Sequence, residues 1–217
     1  MKAAMLIPGP EGGQIEVRDA PTPTPGPREV MIKVKATAIN RGEVAGRRNF
    51  KSGAPVISGI ELAGEVVGLG EGAADFKVGA RVMGQVRGCN ADYAVANEGL
   101  LMVAPDHLDW VQAASLPNVL VTAHDAIVTN GRLAVAETVL VNAGSSGIGI
   151  AAIQIARALG AGTIITTSRG PEKLTALDAL GADVRVDLSS QSIVDVVSEA
   201  TGGKGVDLII DSVGAPA

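Results

Sequence analysis

Val139-Leu140-Val141-Asn142-Ala143-Gly144-Ser145-Ser146-Gly147-Ile148-Gly149 is the stretch that decides the fold. An apolar strand runs into a glycine-rich turn. A helix of small residues follows, Ala151 to Gly160. A second apolar strand, Thr163 to Thr167, ends in Ser168-Arg169, with Lys173 one turn further on. Strand, glycine turn, helix and returning strand with a polar tip make a dinucleotide-binding βαβ unit.

Each residue of the turn has a physical task. Gly144 gives the backbone freedom that a tight strand-to-helix corner needs. A pyrophosphate rests on a helix N-terminus because unpaired N–H groups and the helix dipole attract negative charge there. Ser146 and Gly147 keep that approach open. Gly149 lets the helix pack close to the strand. The hydroxyls of Ser145 and Ser146 can donate to phosphate oxygens. The alternative is a glycine turn in an α/β protein that binds no nucleotide.

The tip of the second strand selects the coenzyme. An acidic residue there would hold a ribose 2′-hydroxyl and favour NAD. This chain carries Ser168-Arg169-Gly170-Pro171-Glu172-Lys173. A hydroxyl and two cations suit a 2′-phosphate, so NADP(H) is the expected cofactor, with Ser168, Arg169 and Lys173 as its phosphate contacts. The alternative is that Arg169 and Lys173 are solvated charges at a helix start, with Glu172 as a partner.

Composition narrows the class. With 47% hydrophobic residues in 217, the chain can build one large core or two small ones. Only 2% are aromatic, so those cores are aliphatic. The formal charge of −5 comes without a basic stripe, which argues against nucleic-acid binding. A single cysteine, Cys89, excludes an internal disulfide framework and fits a reducing compartment. Pro8-Gly9-Pro10 interrupts the start before a signal-like apolar region forms, and Gln154 and Arg157 interrupt the most apolar helix. A cytoplasmic protein with no membrane partner is expected.

Two halves follow. Residues 1–117 read as β-rich: apolar runs at 3–7, 30–34, 64–69, 81–86, 93–96 and 100–103 alternate with Gly/Pro turns, as in a partly open barrel or sandwich. Pro21 to Pro27 is an extended connector. Residues 118–217 alternate strand and helix. After helical segments 109–116 and 118–129, broken at Pro117, strands are predicted at 139–143, 163–168, 184–187 and 206–211. Helices are predicted at 149–159, 171–180 and 190–200. That is a parallel, doubly wound sheet with right-handed crossovers. Four strands fall short of the usual six, so either the sheet is incomplete at the C-terminus, as in a fragment, or it is unusually small.

In order along the chain, M-K-A-A, G-P-R-E-V-M-I-K-V, A-I-N-R-G-E, I-S-G-I-E-L-A-G-E-V-V-G-L-G, F-K-V-G-A-R-V, A-D-Y-A-V, A-A-S-L-P-N-V-L-V-T-A-H, A-G-S-S-G-I-G and I-I-D-S-V-G resemble the medium-chain dehydrogenase/reductase superfamily. Within it they resemble the zinc-independent quinone oxidoreductase-like branch. The resemblance implies a chaperonin-10-like catalytic domain followed by a Rossmann-type nucleotide domain. It also implies a homodimer where the full sheet is present.

By that resemblance Asn40 and Thr122 face the nicotinamide end and are the candidate catalytic residues. Gly147 and Ile148 lie along the pyrophosphate, Ser168 and Lys173 on the 2′-phosphate, and Ser212 and Val213 on the ribose side. Plainer readings stand beside these. Asn40 can simply cap a helix beginning at Arg41, Thr122 can be an ordinary helix residue, and Ser212 can satisfy a strand end.

Zinc members carry Cys or His ligands where this chain has Ile39-Asn40-Arg41 and Gly59-Ile60-Glu61. Two histidines and one cysteine cannot readily assemble a tetrahedral site, so no metal is expected. Glu61 is either a leftover ligand position or a buried carboxylate satisfied by neighbours.

The implied function is an NADP(H)-dependent oxidoreductase that passes hydride to a small molecule, a quinone or an activated double bond. The competing reading is a non-catalytic NADPH-binding or sensing protein, or an inactive fragment of such an enzyme.

Overall fold

The computed structural model describes residues 1–214. The chain separates into two compact units, Met1–Asn118 and Val119–Ala217.

The first unit is built on antiparallel strands. A five-stranded sheet has the order β7-β3-β5-β6-β8, formed by β3 (Glu29–Thr37), β5 (Glu61–Leu69), β6 (Arg81–Gln85), β7 (Tyr93–Asn97) and β8 (Leu101–Val103). A smaller sheet has the order β2-β1-β4, from β1 (Lys2–Ile7), β2 (Gln14–Asp19) and β4 (Val56–Ile57). Alternation in β3 and β5 sends Val30, Ile32, Leu62 and Val66 into one fully buried aliphatic cluster with Val82. Ala63 and Met83 point the other way, onto Ala113 and Ala114 of α2 (Trp110–Ala114). Small residues on both partners let that short helix lie close to the sheet. A further helix, α1 (Arg41–Asn49), buries none of its residues.

Three elements differ from expectation. β2 is absent from the apolar pattern because all six of its residues are exposed; it exists through its ladder to β1. β4 is two residues long. The predicted helix 171–180 is two pieces, α5 (Pro171–Thr175) and a 3-10 turn at Asp178–Leu180, where Asp178 pairs with Arg185.

The second unit is a parallel sheet with the order β11-β10-β9-β12, from β9 (Thr138–Val141), β10 (Thr163–Ser168), β11 (Val184–Asp187) and β12 (Leu208–Ile210). In order of appearance this is 3-2-1-4, the first four strands of a doubly wound sheet. Both faces are covered. Val139, Val141 and Ile164 pack on Ala152, Ile153 and Ala156 of α4 (Gly147–Ala158), together with Ile127. Leu140, Ile165 and Val186 pack on Ile193, Val196 and Val197 of α6 (Ile193–Ala200). Burial on both faces is why these strands read as unbroken apolar runs. The expected break at Pro117 is the start of α3 (Pro117–His124), which passes into a π-helical segment, Asp125–Asn130. Among the described residues no helix is long and apolar enough to cross a membrane.

The β9–α4 corner corrects one expectation. Gly144 does not adopt the left-handed backbone; Ala143 does, with φ 52°. Gly144 is needed for a different reason. A Cβ there would overlap Thr166 Oγ1 and lie 3.1 Å from Leu177 Cδ1. Gly149 is similar: its Cβ would overlap the Ala143 carbonyl and lie 2.6 Å from Gly144 Cα. The corner is therefore pressed against β10. Gly144→Ala is expected to cost about 1–3 kcal/mol through overpacking. Ala143→Gly is expected to be about neutral, since relief of the left-handed strain offsets added chain entropy. Urea unfolding of the two variants measures the contrast; equal losses would refute it.

Glu98 holds the loop before β6. Its side chain has no exposed surface and pairs with Arg28 Nη2 at 2.7 Å. Its carboxylate accepts the Ala74 and Asp75 N–H groups, each at 2.8 Å. The Asp75 N–H lowers its pKa most. Burial opposes this, and the Ala74 N–H and the Arg28 charge add to the lowering below the ordinary 4.5. A lowered folded-state pKa means stability present above the unfolded value and lost as pH falls through the folded one. Glu98→Gln is accordingly expected to lower the melting temperature at pH 7, and the gap to the wild type should close below pH 4.5. A pH-independent gap would contradict the ion-pair account.

Candidate functional site

In the second unit all four strands are parallel, so their C-terminal ends share one edge. The tight turn after β9, the Ser168 tip of β10, Asp187 of β11 and Asp211 after β12 meet there. β9 and β12 adjoin, and that junction is where the strand order reverses. In open α/β sheets ligands bind outside the strand C-termini at this switch point.

The turn is held by strand-tip hydroxyls. Ala143 N–H donates to Thr167 Oγ1 at 3.1 Å and Gly144 N–H to the Thr167 carbonyl at 2.8 Å. Thr166 Oγ1 donates to the Val141 carbonyl at 2.9 Å. Ser146 is the N-cap of α4, its hydroxyl accepting the Gly149 N–H at 3.1 Å. Ile150 N–H donates to the Ser146 carbonyl. The N–H groups of Gly147 and Ile148 are left in the first turn without an intrahelical acceptor. Gly147 is exposed, so this positive end of α4 is open. Ser146 thus spends its acceptor on the helix and retains its proton for another group.

Ser145 and Ser168, expected as separate contacts, are paired: their hydroxyl oxygens lie 2.9 Å apart, and Ser168 is 6% exposed. Beyond them Arg169 and Lys173 are exposed. Neither has an ion-pair partner among the described residues, so Glu172 does not neutralise them. Two acidic residues at this edge escaped the sequence reading. Asp187 accepts the Ser189 hydroxyl at 2.6 Å, the Ser189 N–H at 3.0 Å and the Gly170 N–H at 3.1 Å, which orders the bend carrying Arg169. These bonds, the hydroxyl first, hold its carboxyl below the usual range. Asp211 accepts the Val213 and Gly214 N–H groups, and these, Val213 first, lower its pKa likewise. Asp211 therefore closes the end of β12, and Ser212 and Val213 stand exposed beside it. Asp187 is the last residue of β11 and Asp211 directly follows β12, a strand-tip signal that could have found them.

Thr122 lies exposed on α3. One turn earlier on that helix, Val119 Cγ1 stands 3.0 Å from where a Gly147 Cβ would be. The α3 stretch and the glycine corner are thus neighbours within the second unit.

Asn40 belongs to the first unit and has a different company. It is the N-cap of α1, and its N–H donates to Glu43 Oε2 at 2.8 Å. Its side chain is turned inward. Asn40 Nδ2 donates to Glu61 Oε1 at 2.6 Å, and Asn40 Oδ1 accepts from Asn118 Nδ2 at 2.8 Å. Asn118 N–H completes the ring by donating to Glu61 Oε2 at 2.8 Å, and Gln85 Nε2 donates to Asn118 Oδ1 at 2.7 Å. Glu61 is 1% exposed, a carboxylate held by neutral amides with no ion-pair partner among the described residues. Of the two readings of Glu61, the satisfied buried carboxylate is the one the geometry supports. Asn118 was missed because it reads as one polar residue in a helical run.

The donor set does not suit zinc. Among the described residues no three His, Cys, Asp or Glu side chains converge. Both Glu61 oxygens are occupied by Asn donors. Cys89 donates its thiol to the Glu61 carbonyl at 3.2 Å, and burial pushes its pKa up to about 12, away from the thiolate a metal needs.

Comparison with known proteins agrees with this layout. Residues 26–145 match the alcohol dehydrogenase GroES-like domain, and residues 147–217 match a domain described as zinc-binding dehydrogenase. The chain is 32% identical over 208 residues to quinone oxidoreductase of Sus scrofa, covering 94% of this chain and 63% of that protein. An alcohol dehydrogenase superfamily protein from Novosphingobium aromaticivorans superimposes with a TM-score of 0.92 at 33% identity, over 100% of this chain and 67% of that one. A mycobacterial protein solved with NADPH superimposes with a TM-score of 0.85 at 32% identity, over 99% of this chain and 68% of that one. The chain therefore spans less than two thirds of the pig enzyme's length. Ordered motifs, a GroES-like unit, a parallel nucleotide-type sheet and these relatives together place the chain in the medium-chain dehydrogenase/reductase superfamily, on its quinone oxidoreductase-like branch.

Proposed function

We propose that this chain binds NADP(H) and, without zinc, directs hydride to a quinone or to an activated carbon–carbon double bond of a small molecule in the cytoplasm. Residues 1–117 form the catalytic domain and 118–217 the nucleotide domain in this reading. The observation that carries it is the pair of unneutralised cations, Arg169 and Lys173, beyond a β10 tip that ends in serine. A relative solved with NADPH supports the same coenzyme.

The roles follow from the available donors. The open N–H groups of Gly147 and Ile148 receive the pyrophosphate, helped by the Ser145 and Ser146 hydroxyls and the dipole of α4. Gly144 and Gly149 shape the corner by lacking a Cβ. Ser168, Arg169 and Lys173 meet the 2′-phosphate, while Ser212 and Val213 flank the ribose. Asn40 and Thr122 serve the nicotinamide end. Asn40 is a fixed donor because Glu61 and Asn118 leave its amide only one orientation. NADPH, if bound by these residues, would supply the hydride for the acceptor. The chain's part is orientation, which supplies much of such a barrier reduction.

Fluorescence titration tests the coenzyme assignment. Arg169→Ala is expected to weaken NADPH about tenfold or more, since a charge-assisted contact contributes about 1.5–3 kcal/mol. NADH affinity should stay unchanged, and Arg169→Ala/Lys173→Ala should abolish the preference. Equal binding of both coenzymes by the wild type would reject the phosphate assignment. Saturable NADPH binding without turnover over a quinone and enone panel would favour the non-catalytic reading.

Asn40→Asp tests the fixed amide. It would set a second acid against Glu61, 2.6 Å away in the present geometry, and remove the amide N–H that Glu61 accepts. The variant should be less stable than the wild type by about 2–4 kcal/mol in urea unfolding. NADPH turnover should fall while coenzyme binding persists. Unchanged stability would remove Glu61 from the account.

A further inference from the structure

The tip of β10 is held from both neighbouring strands. On the β9 side the Ser145 and Ser168 hydroxyl oxygens lie 2.9 Å apart. On the β11 side two bonds straddle Arg169. Leu188 N–H donates to the Ser168 carbonyl at 3.0 Å, and Gly170 N–H donates to Asp187 Oδ1 at 3.1 Å. The second bond fixes a corner. Gly170 has φ 91°, in the left-handed region, and it is the N-cap of α5. No side chain caps that helix. Pro171 follows and has no N–H to give. The tie that holds the corner to its neighbour strand therefore comes from Asp187.

Asp187 is itself firmly set. It ends β11 as the register partner of Ser168. The turn behind it closes on its side chain and its backbone together. Oδ1 also accepts the Ser189 N–H at 3.0 Å and the Ser189 hydroxyl at 2.6 Å. The Asp187 carbonyl accepts the Ser190 and Gln191 N–H groups at 3.0 and 2.9 Å. The Asp187 N–H donates to Gln191 Oε1 at 2.8 Å. The carboxylate thus offers Gly170 an acceptor already in place, and an ionised acceptor makes the stronger kind of hydrogen bond.

Both cations of the tip depend on that bond. Arg169 lies between the two anchored residues. Lys173 sits on α5, whose start is the anchored glycine. A helix of five residues has little rigidity of its own, so its place is set by what holds its beginning. The Asp187 charge has the wrong sign for a phosphate, which fits service to the backbone and not to the ligand.

We infer that Asp187 is the positioning residue of the 2′-phosphate subsite. Acting through Gly170, it latches the bend to β11 and so sets Arg169 and Lys173 where one phosphate meets both. The inference deepens the NADP(H) reading and rests on it. Coenzyme preference is then governed by a side chain 17 positions beyond the glycine it holds.

Two measurements on the full chain test this. NADPH and NADH are titrated by coenzyme fluorescence, and the ratio of their dissociation constants is the readout. A residue that only supports folding would move both constants together or neither. Asp187→Ala should weaken NADPH about fivefold or more and NADH less than about twofold, so the preference falls. Asp187→Asn keeps an oxygen for the Gly170 and Ser189 N–H groups and removes the negative charge, so it should retain at least the wild-type preference. Asp178→Ala breaks the nearby pair with Arg185 and leaves the bend alone, so its preference should equal the wild type's. Melting temperatures confirm that the variants fold. A preference that survives Asp187→Ala, or that Asp187→Asn loses as fully, overturns the inference.

Amide hydrogen exchange at Gly170, followed by NMR without coenzyme, reads the bond directly. The N–H should be protected in the wild type and exchange about tenfold faster or more in Asp187→Ala. Free exchange in the wild type, or unchanged protection in the variant, overturns the latch. The two readings fail differently. Equal affinity of the wild type for both coenzymes defeats the phosphate assignment and this inference with it. A wild-type preference for NADPH that is indifferent to Asp187→Ala defeats this inference alone.

Discussion

The contact that everything at the nucleotide edge depends on is the one between Gly144 and Thr166. Because no Cβ stands between them, the chain leaving β9 can turn while pressed against β10. Thr166 and Thr167 then bind that turn on both sides. The same closeness brings Ser145 to Ser168 and fixes where α4 begins. An open helix end and a polar strand tip become parts of one surface. Their separation is set by backbone packing, which is far stiffer than any loop. The left-handed Ala143 is the local strain accepted for that closeness, of order 1 kcal/mol.

The first unit has its own constraint, the Glu61 carboxylate. Burying an ion without a cation is costly unless its oxygens are fully hydrogen-bonded. Here two asparagines do that, and Asn118 is tied in turn to Gln85. The amides are thereby fixed as firmly as the acid. Glu61 is the anchor of a donor side chain, Asn40. Both Glu61 oxygens are thereby engaged by nitrogen donors.

The nucleotide half was largely legible in the sequence. Its strands are short apolar runs, its helices end in glycine, and the glycine corner sits at the expected joint; the observed strands at 163–168 and 184–187 match to the residue. Boundaries shifted where turns were not anticipated: β9 stops at Val141, and the helix after Pro171 breaks at Thr175. The antiparallel half was harder. β2 exposes every side chain and so carries no alternation, while α1 contains two glycines and buries nothing. Neither follows a periodic rule. The role of Gly144 was misjudged because a sequence shows that a residue lacks a side chain, and only packing shows what would fill the space. The Asn40–Glu61–Asn118 ring was out of reach for the same reason: its members are 21, 57 and 78 positions apart, and no local pattern joins them.

Cys89 has a consequence for handling electrophiles. Quinones and enones alkylate thiolates, and a protein that concentrates them near its own cysteine risks self-inactivation. The only cysteine of this chain is buried, with its thiol pKa raised to about 12. Burial thus keeps the thiol from its nucleophilic thiolate form at neutral pH. Under the hydride-transfer reading proposed above, a chain that takes Michael acceptors would offer them almost no sulfur to capture.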